Sequence, residues 1–394
     1  MSSLLNTVVI VGAGIAGSVQ ALLLARAGFN VTLVEAQEPA SVDEGLNVRS
    51  VALSCRSRQL LDNHGLWPTD LGCPINEVHT TIRGQFGSVR LTARDLDVSA
   101  LGYVVANTEF ERYLLKLVEA ERAIELICPA TARLICTTAN SVQMQIGSET
   151  VEASLLIAAD GSHSPIRESL GIEVSKKAYD QFAIVANLGC QRDHRNIAFE
   201  RFTECGPLAL LPLAEKRVAM VYSATTEATK KLRGLSDDQF LRAVQELFGG
   251  KLGRLKSVGR RAVFPLELIV SRSQVTGCSV LIGNAARTIH PVAGQGLNLA
   301  LRDVFELSSQ LTPERSVAAA LEEFSIRRRA DQQQVIRQTN RLAETFVRKP
   351  WPLEIPLSLA KSPSMLLLDN IAPMRNRFGA SAAGLRLPAN PSGA

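Results

Sequence analysis

Apolar positions open the chain as one continuous run, Thr7–Val11, and a second run of the same length, Asn30–Val34, follows an apolar-periodic stretch, Ser18–Ala27. Unbroken short runs predict strands covered on both faces, and the 3.6-residue period between them predicts a crossover helix. The pattern returns at Leu155–Ala159 and at Ser279–Ile282. Elsewhere the rhythm alternates: His79–Ile82 and Val89–Leu91, then Ala183–Leu188, Ile197–Phe202, Gly206–Pro212, Arg217–Ser223 and Arg261–Leu268, interrupted by a helix at Asp237–Phe248. Alternation predicts an antiparallel sheet with one face on a core or a pocket. Asn107–Ala120 reads as an amphipathic helix, and Ile124–Cys128, Ala132–Thr137 and Val142–Ile146 as a meander beside the first sheet. Pro313–Val347 reads as a long helical tract whose basic, Gln-rich run Arg327–Arg341 is a solvated face. The fold class is therefore α/β: a Rossmann-type domain in three pieces (1–76, 102–181, 269–345) interrupted by two pieces of an antiparallel-sheet domain (77–101, 182–268), with a C-terminal helical tail (346–394).

Composition narrows the class further. A chain of 394 residues, 46% hydrophobic, buries a large core over two to three domains' worth of length. The seven cysteines are scattered without a C-x-x-C pair, so neither a disulfide framework nor a metal site is indicated and a reducing, cytoplasmic setting is expected. No secretory leader is read after Met1, and no run reaches the roughly 18 apolar residues that span a bilayer. Net charge is +5, but six Lys/Arg against Glu354 and Asp369 place +4 of it beyond Val347. The body is close to neutral and has no basic stripe, which excludes nucleic acid as an expected partner.

Three segments carry candidate chemistry. The first strand runs into Gly12-Ala13-Gly14-Ile15-Ala16-Gly17, and Glu35 ends the next strand 18 residues past the last glycine. That context turns a weak G-x-G-x-x-G into a strong dinucleotide signal: Gly12 for the tight turn, Gly14 for close approach of a pyrophosphate, Gly17 for helix–strand packing, Glu35 for a ribose. An acid at 35 favours FAD or NAD over NADP. In the second, the strand at Leu155 ends in Asp160-Gly161 and a helix starts at Ser164-Pro165, as expected where a strand's carboxyl end meets a ligand crevice. The third, Leu281–Asp303, passes from strand through Gly283-Asn284 and the His290-Pro291 turn into a helix opening at Gly294-Gln295-Gly296, whose free N–H groups face whatever negative charge sits there. Its plain alternative is a corner with glycines for packing only. His290 could serve as a base or as a structural turn residue, and no catalytic side chain is assigned.

Together GAGIAG with Glu35, ADGSHSPIR and IGNAARTIHPVAGQGLNLALRD resemble the FAD-dependent aromatic monooxygenases of the para-hydroxybenzoate hydroxylase type. The third segment is similar to the signature of the ubiquinone-biosynthesis hydroxylases, and NVRSVALS and IAFERFTECGPLALLPL look most like their 2-octaprenyl-6-methoxyphenol hydroxylase branch. The resemblance implies FAD as cofactor, NAD(P)H as co-substrate, and hydroxylation of a polyprenylated phenol by O₂ through a flavin C4a-hydroperoxide. It implies that Gly12, Gly14, Gly17 and Glu35 hold the ADP half and that Arg49 lies by the flavin and phosphates. Asp160 would organise the pyrophosphate region and Gly283-Asn284 the ribityl chain. Pro291, Gly294, Gln295, Gly296, Leu297 and Asn298 would shape the cradle for the pyrimidine edge of the ring. Strands Phe199–Pro212 and Phe264–Leu268 would wall the pocket.

Departures accompany the resemblance. Asn284 stands where the superfamily usually has Asp, Ala300 where the signature has Gly, and Glu111 where relatives often carry Gln or Arg. Two other readings compete: a flavin-dependent reductase of isoprenoid double bonds, and an FAD-binding scaffold subunit of a membrane-associated complex. Oxygen uptake separates them. The basic tail with Trp351 and Met365–Leu368 either contacts the surface of the inner membrane or packs on the fold.

Overall fold

A computed structural model describes residues 6–38, 49–138 and 140–345. Its nucleotide half is a six-stranded sheet in the order Val275–Thr276, Ser279–Leu281, Leu155–Ala158, Thr7–Val11, Asn30–Val34, Ile124–Ile127, parallel except for the first strand. The continuous apolar runs are explained by cover on both faces: Val8, Val9 and Ile10 are fully buried, with the helix Ile15–Arg26 on one side and the three-stranded meander on the other. That meander is Ala132–Thr137, Val142–Ile146 and Glu149–Ala153. Ile124–Ile127, expected within it, pairs instead alongside Asn30–Val34 as the last parallel strand.

The second half is a nine-stranded sheet. Its path runs Arg287–Thr288, Ala262–Ser271, Val174–Cys190, Arg217–Thr225, Gly206–Leu213, Ile197–Thr203, Glu77–Ile82, Ser88–Thr92, and Leu255–Val258 pairs with the long third strand. It is antiparallel with one exception to the expected pattern: Ile197–Thr203 and Glu77–Ile82 run parallel, because the chain reaches them from two separate insertions. The strand expected from Ala183 begins at Val174. Its polar lead Ser175-Lys176-Lys177 is exposed and is held as strand by pairing with Leu268–Val270, which a hydrophobic pattern cannot reveal.

Helices Thr226–Arg233 and Asp237–Phe248 cover one face of this sheet, burying Leu232, Phe240 and Val244 against Leu208, Met220 and Tyr222. The first of these helices is too charged to announce itself by periodicity, but Thr225 caps it and Thr229 and Leu232 turn inward. The opposite face looks toward the nucleotide half. There Ala198, Leu211 and Leu213 pack on Ile75, Leu101 and Val104 of a small sheet, Ser50–Ser54, Gly102–Ala106 and Cys73–Ile75.

The tract expected to be a solvated face is one only in part: Arg327, Arg329, Gln333, Gln334 and Arg337 are exposed, but its other side is closed. In the long helix Val317–Thr345, Arg328, Asp331 and Thr339 are buried. Arg328 bonds Asp303 at 2.6 Å and Asp331 at 2.6 Å, Asp331 takes Arg302 at 2.7 Å, and Asp303 also pairs with Arg287. This network seats the helix Gln295–Gln310 on the long helix.

Candidate active site

Register brings the three motif segments to one edge. Val34, Val11, Ala158 and Leu281 are successive partners across the parallel sheet, so Glu35, the Gly12 loop, Asp160 and Gly283 leave from the carboxyl ends of four adjacent strands. In open α/β sheets that edge is the ligand crevice.

The glycines there do different work. Gly12 has φ +103°, and a Cβ on it would lie 2.5 Å from the Ala159 carbonyl oxygen; one on Gly17 would lie 1.9 Å from the Gly12 carbonyl oxygen. Both are demanded by the fold itself. A Cβ on Gly14 meets nothing within 4 Å, so only something outside the chain requires that residue to be bare. The Ala13 N–H donates to the Glu35 carboxylate at 2.7 Å and the Gln37 N–H does so at 3.0 Å, so Glu35 sets the shape of the loop. Glu111, which was omitted from the expected set, shares this corner. Its pKa is raised by burial and by Glu35, against the pull of Arg49. Nothing local marks it, since the three residues are joined only through the fold.

Asp160 accepts the Ile166 N–H at 3.1 Å through one oxygen, while the other is buried with no partner among the described residues. Burial raises its pKa despite Ser164, Ile166 and Arg167. The buried Arg167 donates to the carbonyls of Ala285 at 2.9 Å and Ser162 at 3.0 Å, which locks the Asp-Gly loop to the Gly283 turn. Gly283 has φ +59°, and Asn284 beside it is exposed. Arg49 places its guanidinium 5.0 Å over the Phe264 ring and so touches the nine-stranded sheet.

Pro291 starts the turn before the signature helix, Gly294 takes φ +59° at its cap, Gln295 is half-buried, Gly296 has open space where a Cβ would go, and Leu297 packs on the core. Asn298 has a structural task within the expected cradle. Its Nδ2 donates to the carbonyls of Ala52 at 3.0 Å and Gly294 at 2.6 Å, and its Oδ1 accepts the Ser54 N–H at 2.7 Å and the Ser57 hydroxyl at 2.8 Å. All four bonding positions of the amide are taken. The side chain pins strand to helix.

His290 holds its turn through one ring nitrogen, while Nε2 is buried with no partner among the described residues. Nδ1 accepts the Val292 N–H at 3.1 Å, and Tyr179 stands edge-on at 5.0 Å. Burial lowers its pKa from 6.5 to about 4. A depressed histidine contributes stability that is present above the unfolded value and lost as pH falls toward the folded one. Thermal unfolding should therefore shift down between pH 6.5 and about 4 in the native protein, and less so in His290→Asn, whose amide oxygen can still take the Val292 N–H. An equal shift in both proteins would remove His290 from the account.

The bare Gly14 and Gly296, the unpartnered Asp160 oxygen and the helix amides after Gly294 fit a bound dinucleotide. Fold and edge define a flavoprotein of the monooxygenase type. The FAD binding domain family model matches residues 6–339, and the chain belongs to that family and, within it, to the ubiquinone-biosynthesis hydroxylases among the FAD-dependent aromatic monooxygenases. It is 31% identical over 345 residues to the 3-demethoxyubiquinol 3-hydroxylase of Escherichia coli, covering 86% of each chain. It is 30% identical over 388 residues to the ubiquinone hydroxylase UbiL of Rhodospirillum rubrum, covering 96% of this chain and 89% of that one. In fold it is similar to the p-nitrophenol 4-monooxygenase PnpA of Pseudomonas putida, with a TM-score of 0.79 at 16% identity over 97% of this chain and 100% of that one.

Proposed function

We propose that this protein hydroxylates the ring of a polyprenylated phenol on the route to ubiquinone, with O₂ and a reduced nicotinamide as co-substrates. The observation that carries the reading is the crevice itself. A nucleotide edge with its bare glycine faces the uncovered side of a mostly apolar sheet, and Arg49 reaches from one to the other. Bound FAD would supply the two-electron chemistry that activates O₂. The chain's own part is positional. The amides of the Gly12–Gly17 loop bind the diphosphate and Glu35 the ribose, beyond the loop N–H it already holds. The amides opening the helix at Gln295 steady negative charge on the ring system, and the sheet keeps water from it. Among the described residues no helix is long and apolar enough to cross a membrane. The tail expected to touch the bilayer lies outside the described residues.

Two glycine variants separate the cofactor from the fold. Gly14→Val should fold normally and purify without flavin absorbance, since a Cβ at this position meets no protein atom within 4 Å. Gly17→Ala should lower thermal stability as well, because its Cβ lands on a backbone oxygen. A yellow Gly14→Val protein would overturn the loop's assignment. Oxygen uptake then tests the reaction: a hydroxylase consumes O₂ with reduced nicotinamide and phenol, whereas a reductase consumes the nicotinamide without O₂.

A further inference from the structure

One row of the nine-stranded sheet is set apart by its exposure. Glu200, Ala209, Val221, Val185 and Ala262 are direct cross-strand partners in that order, and all five are half-buried. The rows on either side are mostly closed. Ala198, Ala219 and Asn187 are buried on one side, and Phe202, Pro207, Ser223 and Ala183 on the other. By alternation these residues lie on the face opposite the two covering helices, the face on which Ala198 meets the small sheet of the nucleotide half. That small sheet is tied in turn to Gly294 through Asn298 and Ala52. The open row is a trough across five strands, roughly 19 Å long at about 4.8 Å per strand, facing the nucleotide half. Its floor is Ala, Val, Val and Ala, with the Glu200 carboxylate in line on the fifth strand, and the half-buried row runs on through Thr80 and Val89.

That carboxylate has no structural work. Among the described residues no hydrogen bond or ion pair reaches it, and burial alone pushes it up to about 7. Its row neighbours Thr80 and Ala209 are uncharged. The adjacent charges, His79 and Arg201, alternate onto the helix-covered face, where His79 stacks with Phe199. Arg49, from the nucleotide half, stands over Phe264 several strands away. The residue is half-buried, so its carboxyl is desolvated by the sheet with no cation or donor to offset the cost.

We propose that the trough seats the substrate's alkyl chain and that Glu200 accepts the hydrogen bond, and then the proton, of its phenol hydroxyl. The inference rests on the phenol-hydroxylase reading. The proton passes from the phenol oxygen to a Glu200 carboxylate oxygen while the phenol oxygen's electron pair enters the ring, and the ring carbon forms its new C–O bond to one oxygen atom as the O–O bond breaks. That atom comes from O₂, the other atom leaves as water, and a reduced nicotinamide supplies the two electrons. When the carbon's own hydrogen leaves to water and the ring regains aromaticity, the carboxylic acid returns its proton to the phenol oxygen. A carboxylate serves as this base only above its own pKa, so turnover rises with pH through about 7.

The experiment uses the FAD-loaded protein and 2-farnesylphenol as the probe, with two readouts: hydroxylated product, and probe affinity by equilibrium dialysis across pH 5.5–9. In the native protein both should rise through pH 7. Glu200→Gln should lower product by roughly 10² and flatten both pH profiles. Ala209→Phe, which fills the trough with the carboxylate in place, should weaken probe binding by roughly tenfold or more. A Glu200→Gln protein with the native pH profile and native affinity overturns the role of Glu200 while native turnover leaves the hydroxylase reading standing. A native protein that binds the probe but never hydroxylates it overturns both.

Discussion

Asp303→Asn is expected to destabilise this protein by about 3–5 kcal/mol, the usual consequence of stripping one partner from a buried ionic cluster. Three guanidinium groups, Arg287, Arg302 and Arg328, share two carboxylates, Asp303 and Asp331, with every side chain at or below 10% exposure. Burial alone would raise the Asp303 pKa, but Arg287 and Arg328 hold it down at about 2. The amide keeps the shape and loses the charge, which leaves three buried cations against one anion. Thermal unfolding should fall by on the order of 10 °C. Flavin affinity should fall with it, because the network seats the helix that carries Gly294–Asn298. Adding Arg328→Met to Asp303→Asn should recover part of the loss, with a coupling of about 1–3 kcal/mol in the cycle. A single-variant loss under about 1 kcal/mol would mean that water already reaches the cluster. The same depressed carboxyl also sets an acid limit: its stabilisation is present above the ordinary aspartate value and is lost as pH falls toward 2.

The nucleotide edge was legible in the chain because its requirements are local. A strand buried on both faces must be an apolar run, and the glycine spacing of the loop follows from one turn and one helix start. The ionic cluster was illegible for the opposite reason. Arg328 and Asp331 sit in a run of charges that reads as solvated, and their partners Asp303 and Arg302 lie on the preceding helix, far away in sequence. Asn298 was legible as important through the resemblance but not as to its task, since a saturated amide and a ligand-binding amide have the same spacing. The pocket wall was half legible. In Phe199–Pro212 alternate residues face the helices, where Phe199, Leu208 and Leu210 join a closed core. Both faces are apolar, so the pattern shows that a sheet is there but not which side is open. Glu200 beside Arg201 looks like an ordinary surface pair until the register separates them onto opposite faces.

Glu200→Gln should make the protein more stable at pH 8 by about 1–3 kcal/mol and leave it unchanged near pH 4. The sign follows from the direction of the shift. Burial moves the carboxyl from 4.5 to about 7, so the folded protein holds a proton across a range where the unfolded chain has released it. Stability is then highest below the unfolded value and declines as pH rises through the folded one. The span corresponds to about 3 kcal/mol at most, reduced by whatever water at the cleft screens. The check is a pair of thermal unfolding curves at the two pH values, with no substrate present. The same difference at both would show that the carboxylate is solvated, and the burial invoked for it would be absent. A gain confined to high pH would show that the fold carries an ionised group it is more stable without. Destabilising groups of that kind are expected where a site needs a reactive charge rather than where a core needs packing.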